Sequence, residues 1–107
     1  MQVNISTRHG SISEATQEKI TKKVEKLRRY FERLMSIDVT VDLEKANEPN
    51  IEVIVRAEHK QDFLASHSSK DMFGSVDQVV SKLEQQIKKH KEKIQDRGRP
   101  GSEIPEN

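Results

Sequence analysis

The segment IDVTVDLEKANEPNIEVIVRA, residues 37–57, decides the fold because it holds two alternating apolar stretches joined by turn-forming residues. An alternation with a period of two places one face of each stretch on a core and the other in solvent, as in half-buried strands. The sequence NEPN at residues 47–50 favours a turn between the stretches, which cover residues 37–43 and 51–57. We therefore predict an antiparallel hairpin of two adjacent strands.

Two shorter strands are predicted outside this hairpin. Residues 3–7 alternate between apolar and polar types, and residues 62–67 can pair with the hairpin after a polar turn. Val3 and Ile5 are the alternating apolar residues of the first segment, and Phe63 and Ala65 lie on one side of the second.

Apolar residues at intervals of three and four predict two helices. The first helix can begin after Ser11 or Ser13 as its N-cap, and the second after Ser69 or Asp71. The second should end at about Asp96. The apolar stripe of the first helix is Ile20, Val24, Leu27, Phe31 and Leu34, and that of the second is Met72, Val76, Val79, Val80, Leu83, Ile87 and Ile94.

The predicted order of elements is β-α-β-β-β-α. A right-handed crossover from the first strand to the second puts the first helix on one face of the sheet, and the second helix should return to that face. The fold class is therefore α+β, a two-layer sandwich with a four-stranded sheet and two parallel helices on one face. We expect one domain over residues 1–96 and a flexible tail over residues 97–107, where glycine and proline end the helix.

Composition excludes several classes of function. Only 32% of the 107 residues are hydrophobic and 35% are charged, so the core must be thin and a large catalytic cavity is not expected. Cysteine is absent, which removes disulfides, thiol catalysis and thiolate metal sites. No stretch approaches the roughly 20 apolar residues that span a bilayer, and residues 1–5 lack the pattern of a secretory signal. These features predict a cytoplasmic protein that needs no cofactor.

Charged residues are segregated along the chain, although the net charge is only +1. Residues 14–33 carry seven Lys and Arg against four Glu, and residues 82–99 carry seven against three acids. Residues 37–62 instead carry seven acids against three bases. Two basic helices beside an acidic sheet segment indicate a surface for the phosphate backbone of structured RNA. The simpler alternative is that both helices are solvated surfaces on which Lys pairs with Glu one turn away.

Other functions have weaker support in the sequence. A sheet that stacks single-stranded RNA needs several exposed aromatic residues, whereas Phe63 is the only aromatic residue on a predicted strand. We expect Phe31, Phe63 and Phe73 in the core and leave Tyr30 open. The histidines at positions 9, 59, 67 and 90 lack metal-ligand spacing, and the serines near His67 lack a nucleophile motif, so neither a metal site nor a hydrolase is predicted.

The sequence DMF at residues 71–73, Val76-Asp77, and KLEQQIKKHK at residues 82–91 together resemble the signature helix of a known family. This family comprises the ribosome hibernation-promoting factors and the ribosome-associated inhibitors. The resemblance extends to MQVNI at residues 1–5, EKL at residues 25–27, Tyr30-Phe31 and Ala65-Ser66, so it covers about residues 1 to 95.

The resemblance implies a fold related in layout to double-stranded-RNA-binding domains and a partner in the RNA of the small ribosomal subunit. It implies that the protein occupies the channel of messenger RNA and of the aminoacyl and peptidyl transfer RNAs. Translation would then be blocked by occlusion, without catalysis, during stress or stationary phase. The isolated protein is expected to be a monomer.

The resemblance also assigns RNA-binding residues. Lys23, Lys26, Lys82, Lys89 and Lys91 match basic positions of the family, and the neighbouring candidates are Lys22, Arg29, Lys88 and Lys93. Two departures reduce the match, because Phe73 stands where tyrosine is common and Gln85 where arginine is common. The chain ends before the additional domain of long members, so it resembles a short form. We favour the kind that permits ribosome dimers, with a separate ribosome modulation factor as a further partner.

Overall fold

The computed structural model describes residues 2–30, 34–57 and 62–97, with side chains given for all of these except 34, 35 and 92–97. The predicted order of elements is confirmed within these residues. In chain order the elements are strand β1 (Gln2–Arg8), helix α1 (Glu14–Val24), a 3-10 helix (Glu25–Tyr30), strands β2 (Leu34–Asp42), β3 (Asn50–Ala57) and β4 (Asp62–Ser68), and helix α2 (Met72–Arg97).

The four strands form one mixed sheet in the order β1-β2-β3-β4. Strand β1 is parallel to β2, whereas β3 is antiparallel to both β2 and β4. The predicted hairpin is confirmed by the register of β2 and β3, in which Val39 lies opposite Val53 and Val41 opposite Ile51. Strand β4 buries Phe63 and Ala65, which the sequence places on one side of the strand.

One hydrophobic core lies between the sheet and both helices. Alternate residues of the three strands β2, β3 and β4 are buried in the same cluster as residues of the helices, so both helices cover one face of the sheet. The predicted two-layer sandwich is therefore confirmed. The completely buried large side chains include Ile20 and Leu27 from the first helical segment, Leu83 and Ile87 from α2, and Ile37 and Ile51 from the sheet.

Side-chain contacts show that the two helical segments run in the same direction. Lys19 lies over the ring of Phe73, Lys23 contacts Asp77, and the Tyr30 hydroxyl contacts Glu84. In these three pairs, a later residue of the first helical segment contacts a later residue of α2, which is the pattern of parallel neighbours. The predicted parallel arrangement of the helices is confirmed.

The first helix differs from its prediction at its C-terminal end. Its α-helical part ends at Val24, a 3-10 helix continues to Tyr30, and Leu34 already belongs to β2, where it lies opposite Ala57. The prediction that Leu34 completes the helical stripe was therefore wrong, because strand pairing with β3 overrides the local helical spacing. Phe31 and the predicted tail after Arg97 lie outside the described residues.

Each helix begins at a polar cap of the kind that the sequence predicts. Ser13 accepts a hydrogen bond from the Thr16 amide at 3.1 Å, and Asp71 accepts one from the Gly74 amide at 3.0 Å. A side chain at position 74 would disturb this second cap, because an added Cβ would lie 2.6 Å from a carboxylate oxygen of Asp71. Among residues 2–30, 34–57 and 62–97, no helix has the length and apolar character needed to cross a membrane.

Candidate nucleic-acid interface

One flank of α2 lies along the outer edge of the sheet. The Lys82 ammonium donates a hydrogen bond to the Ser66 carbonyl at 2.9 Å, and the Gln86 amide donates one to the Leu64 carbonyl at 2.9 Å. Both acceptors belong to β4, the last strand of the sheet. Lys89 follows Lys82 by two helical turns and therefore lies on the same flank. An ammonium group has three donors, so Lys82 keeps two of them for a ligand.

The opposite flank of α2 faces the first helical segment and carries two acids. Lys23 Nζ lies 2.8 Å from Asp77 Oδ1, and Arg29 Nη2 lies 3.0 Å from Glu84 Oε2. The Lys23 side chain is only 21% exposed. The predicted RNA-binding residues Lys23 and Arg29 are therefore paired with carboxylates between the helices.

Arg29 belongs to a compact three-residue cluster. Its Nη2 atom donates to the Tyr30 hydroxyl at 3.1 Å as well as to Glu84, and the Tyr30 hydroxyl itself donates to Glu84 Oε2 at 3.0 Å. The hydrogen bond to Tyr30, with the nearby Glu84 carboxylate, raises the pKa of Arg29. Tyr30, which the sequence left open, is half-buried and orients this cation.

Lys26 lies in the row formed by Lys23 and Arg29. Lys26 and Arg29 are spaced by three within the 3-10 helix Glu25–Tyr30, where side chains with this spacing align. Because Arg29 contacts Glu84 of α2, this alignment places Lys26 on the side of the groove between the helices. It is exposed and has no ion-pair partner among the described residues. Lys26 is thus the unneutralised cation of this row.

The remaining predicted residues occupy three different environments. Lys88 and Lys91 are exposed and follow Glu84 by one and two turns, which places them towards the groove between the helices. Lys22 lines a shallow depression on the far side of α1 together with Glu14, Glu18 and Glu25. The side chain of Lys93 lies outside the described part of the chain.

These positions divide the cations into two groups on either side of α2. A groove group comprises Lys23, Lys26, Arg29, Lys88 and Lys91, and an edge group comprises Lys82 and Lys89. The groups are separated by the width of one helix, about 10 Å. Lys22 lies apart from both among acids, so the predicted cations do not all lie in one continuous row.

The open face of the sheet has the opposite electrostatic character. Asp38 accepts hydrogen bonds from Asn4 at 2.9 Å and from Arg56 at 3.0 Å, and Arg56 also lies 3.8 Å from Asp62. The bond from Asn4, followed by that from Arg56, lowers the pKa of Asp38. Glu52 extends this acidic character on β3. This charge distribution favours the helical layer over the open face as a surface for a polyanion.

Phe63 and Phe73 pack against the core and not on the open face of the sheet. Phe63 is 5% exposed and meets the His90 ring edge-on at 5.5 Å, and Phe73 is partly buried beneath the Lys19 ammonium. The core positions predicted for Phe63 and Phe73 are confirmed. Within the described residues the open face presents no aromatic ring, which does not favour a stacking platform for single-stranded RNA.

A second polar cluster lies where β1 and β2 end. His9 Nδ1 is 3.0 Å from Asp42 Oδ1, and the same carboxylate accepts a hydrogen bond from the Glu44 amide at 3.0 Å. One His9 ring nitrogen and one carboxylate oxygen from each of Asp42 and Glu44 lie within 4.8 Å of one another. The Glu44 amide and then His9 lower the pKa of Asp42. The cluster lies at the surface. Its hydrogen bonds connect the ends of β1 and β2, and this structural role is enough to explain it.

Sequence reasoning missed the roles of Asp77 and Glu84. Both are acids on a helix otherwise rich in lysine, separated by two turns and therefore on one flank. The spacing alone indicates that Asp77 and Glu84 share one flank of the helix. It does not show that this flank faces Lys23 and Arg29.

The architecture and charge distribution define a class of protein, a small α+β binding domain with a basic helical layer and an acidic sheet. Comparison of the sequence with known families identifies the family within this class. Residues 3–95 match the family described as Sigma 54 modulation protein / S30EA ribosomal protein, and the chain belongs to that family. This family is one of ribosome-associated factors and not of enzymes, as the sequence predicted.

Several relatives share the name ribosome hibernation promoting factor. The relative from Pseudomonas putida is 30% identical over 103 residues, covering 89% of this chain and 91% of its own length. Those from Salmonella typhimurium and Escherichia coli are 33% and 32% identical over 94 residues, covering 88% of this chain and 97% of theirs. The resemblance to this family stated from the sequence is confirmed.

Two solved structures share the fold. The N-terminal domain of Thermus thermophilus Protein Y has a TM-score of 0.74 at 22% identity, over 84% of this chain and 99% of that domain. A ribosomal subunit interface protein from Coxiella burnetii has a TM-score of 0.72 at 23% identity, over 85% of this chain and 98% of that protein.

Proposed function

We propose that this protein is a ribosome hibernation factor that binds the RNA of the small subunit. It occupies the channel of messenger RNA, at the aminoacyl and peptidyl transfer-RNA sites, and blocks translation by occlusion. The observation that carries the proposal is the basic helical layer of a chain in the S30EA ribosomal protein family. Relatives at 30% identity or above are named for ribosome hibernation, which supports the same role here.

The distribution of unpaired cations supports contact with phosphate rather than with bases. Lys26, Lys82, Lys88 and Lys89 have no ion-pair partner among the described residues. Each lysine that neutralises a phosphate releases condensed counterion, so binding weakens as salt is added. Four such contacts predict a slope of roughly −3 to −4 in a plot of log affinity against log salt concentration.

The proposal includes the cellular setting and the partners. The protein acts in the cytoplasm as a monomer during stress or stationary phase, when idle ribosomes are preserved. Its partners are the small subunit, that subunit's RNA and, for ribosome dimers, a ribosome modulation factor. The names of the relatives support hibernation, and dimer formation is an extension of that role.

A second candidate is a general structured-RNA-binding module or a protein-interaction domain. The pairing of Lys23 with Asp77 and of Arg29 with Glu84 favours the protein-interaction domain, because it lowers the positive charge between the helices that any RNA would need. A protein-interaction surface would bind with little dependence on salt, whereas a general RNA module would bind unrelated folded RNA as tightly as the small subunit.

Binding to isolated ribosomal subunits at several salt concentrations separates these functions. We expect co-sedimentation with the small subunit, little with the large subunit, and a steep loss of binding as salt rises. A sucrose-gradient profile of starved cells with and without the protein then tests hibernation itself. Salt-independent binding, or equal binding to an unrelated RNA duplex, would reject the proposal in favour of the second candidate.

A further inference from the structure

In the cluster of Arg29, Tyr30 and Glu84 the arginine side chain remains exposed, but its Nη2 atom is already hydrogen-bonded. The Arg29 side chain is 66% exposed, whereas that of Glu84 is 23% exposed. The atoms Arg29 Nη2, Tyr30 Oη and Glu84 Oε2 form a triangle whose sides are 3.1, 3.0 and 3.0 Å. Both donating groups therefore converge on one carboxylate oxygen.

The atom already engaged, Arg29 Nη2, is the one that two-bond contact with a phosphate requires. A guanidinium binds an oxyanion with two parallel N–H donors, either Nε with Nη2 or Nη1 with Nη2. Both of these forks use Nη2, which here already donates to Tyr30 and Glu84. A phosphate at either fork would also lie against the negative charge of Glu84, so Arg29 is left with single hydrogen bonds through its other nitrogens.

We propose that Glu84 limits the affinity of the helical layer for RNA by withholding Arg29 from two-bond contact with phosphate. This inference rests on the proposed RNA-binding function and adds a residue that sets its strength. Glu84 is a positioning residue, because it acts through Arg29 and Tyr30 and contacts no phosphate itself. Lys26, three residues before Arg29, also carries one positive charge but has no carboxylate partner among the described residues.

The test compares the affinity for isolated small subunits of the wild type and the Glu84→Gln variant. Glutamine keeps an oxygen that accepts from Arg29 and Tyr30 but removes the charge that opposes phosphate. We expect the affinity of Glu84→Gln to rise about fivefold at low salt, with a steeper dependence on salt. The control Glu14→Gln removes the same charge from an exposed residue of α1 that has no ion-pair partner among the described residues, and should change affinity less than twofold.

A double-mutant cycle with Arg29→Gln assigns the effect to this pair. We expect the gain from Glu84→Gln to disappear in the Arg29→Gln background. A gain that persists there, an equal gain in Glu14→Gln, or no gain at all while the wild type binds would overturn the inference. Absence of wild-type binding to small subunits would instead reject the proposed function, and this inference with it.

Discussion

Lys82 closes the outer edge of the sheet by donating from its ammonium to the Ser66 carbonyl at 2.9 Å. One turn later Gln86 donates to the Leu64 carbonyl, so α2 covers two carbonyls that no further strand among the described residues pairs with. This relationship gives Lys82 two functions. It stabilises the edge of β4, and it holds a positive charge at a fixed position beside Lys89.

The first prediction concerns the stability of this edge. Replacing Lys82 with Met keeps the aliphatic stem and removes the donor to Ser66. We expect the free energy of unfolding to fall by about 1 kcal/mol, the usual contribution of one hydrogen bond. Urea unfolding followed by circular dichroism measures the change. Lys89→Met is the matched control on the same flank, and an equal loss in both variants would show that the Ser66 contact contributes nothing.

The second prediction concerns charge reversal on α2. Changing Lys82, Lys89 and Lys91 together to Glu should abolish binding to the small subunit while the fold survives, because all three side chains are exposed. Co-sedimentation with small subunits measures binding, and circular dichroism checks the fold. The control is Lys45→Glu, which lies among acids at the end of β2 and should bind as the wild type does. Unchanged co-sedimentation of the triple variant would refute the proposed interface.

The third prediction separates two neighbouring lysines that the sequence treats alike. Lys26 faces the groove between the helices, whereas Lys22 shares its surroundings with Glu14, Glu18 and Glu25. We expect Lys26→Glu to weaken binding to the small subunit about tenfold and Lys22→Glu less than threefold. Equal losses in the two variants would indicate that only the total charge of the protein matters.

The fourth prediction concerns pH and the open face of the sheet. Asn4 and Arg56 stabilise the ionised form of Asp38, so its pKa lies below the ordinary value of 3.8. A carboxylate with a lowered pKa stabilises the fold at pH values above 3.8 and loses this contribution as the pH falls through the lowered pKa. The destabilisation caused by Asp38→Asn should therefore stay constant from about pH 7 to about pH 5 and shrink as the pH falls below about 4. Urea unfolding of both proteins at each pH measures it, and a constant difference would contradict the assignment.

Much of the fold could be predicted from the sequence because its signals are local. The alternation of Val39 and Val41 with polar residues marks a strand, and the caps Ser13 and Asp71 mark helix starts. The end of the first helix could not be predicted, since Leu34 fits the helical stripe and joins β2 only through pairing with Ala57. That pairing is a long-range contact that spacing does not reveal.

The candidate interface was less predictable than the fold. Helical spacing fixes which residues of α2 share a flank, so it places Lys82 with Lys89 and sets both apart from Lys88 and Lys91. It did not reveal that Asp77 and Glu84 meet Lys23 and Arg29, since this depends on how two helices distant in sequence are aligned. The change from α-helical to 3-10 geometry after Val24 also decides where Lys26 points.

Chemical footprinting of the small-subunit RNA, with and without the protein, tests the central claim most directly. The account predicts protection of nucleotides that line the messenger-RNA channel at the aminoacyl and peptidyl sites, and loss of that protection with the triple α2 variant. Protection confined to other surfaces of the subunit, or the same protection with the triple variant, would contradict it.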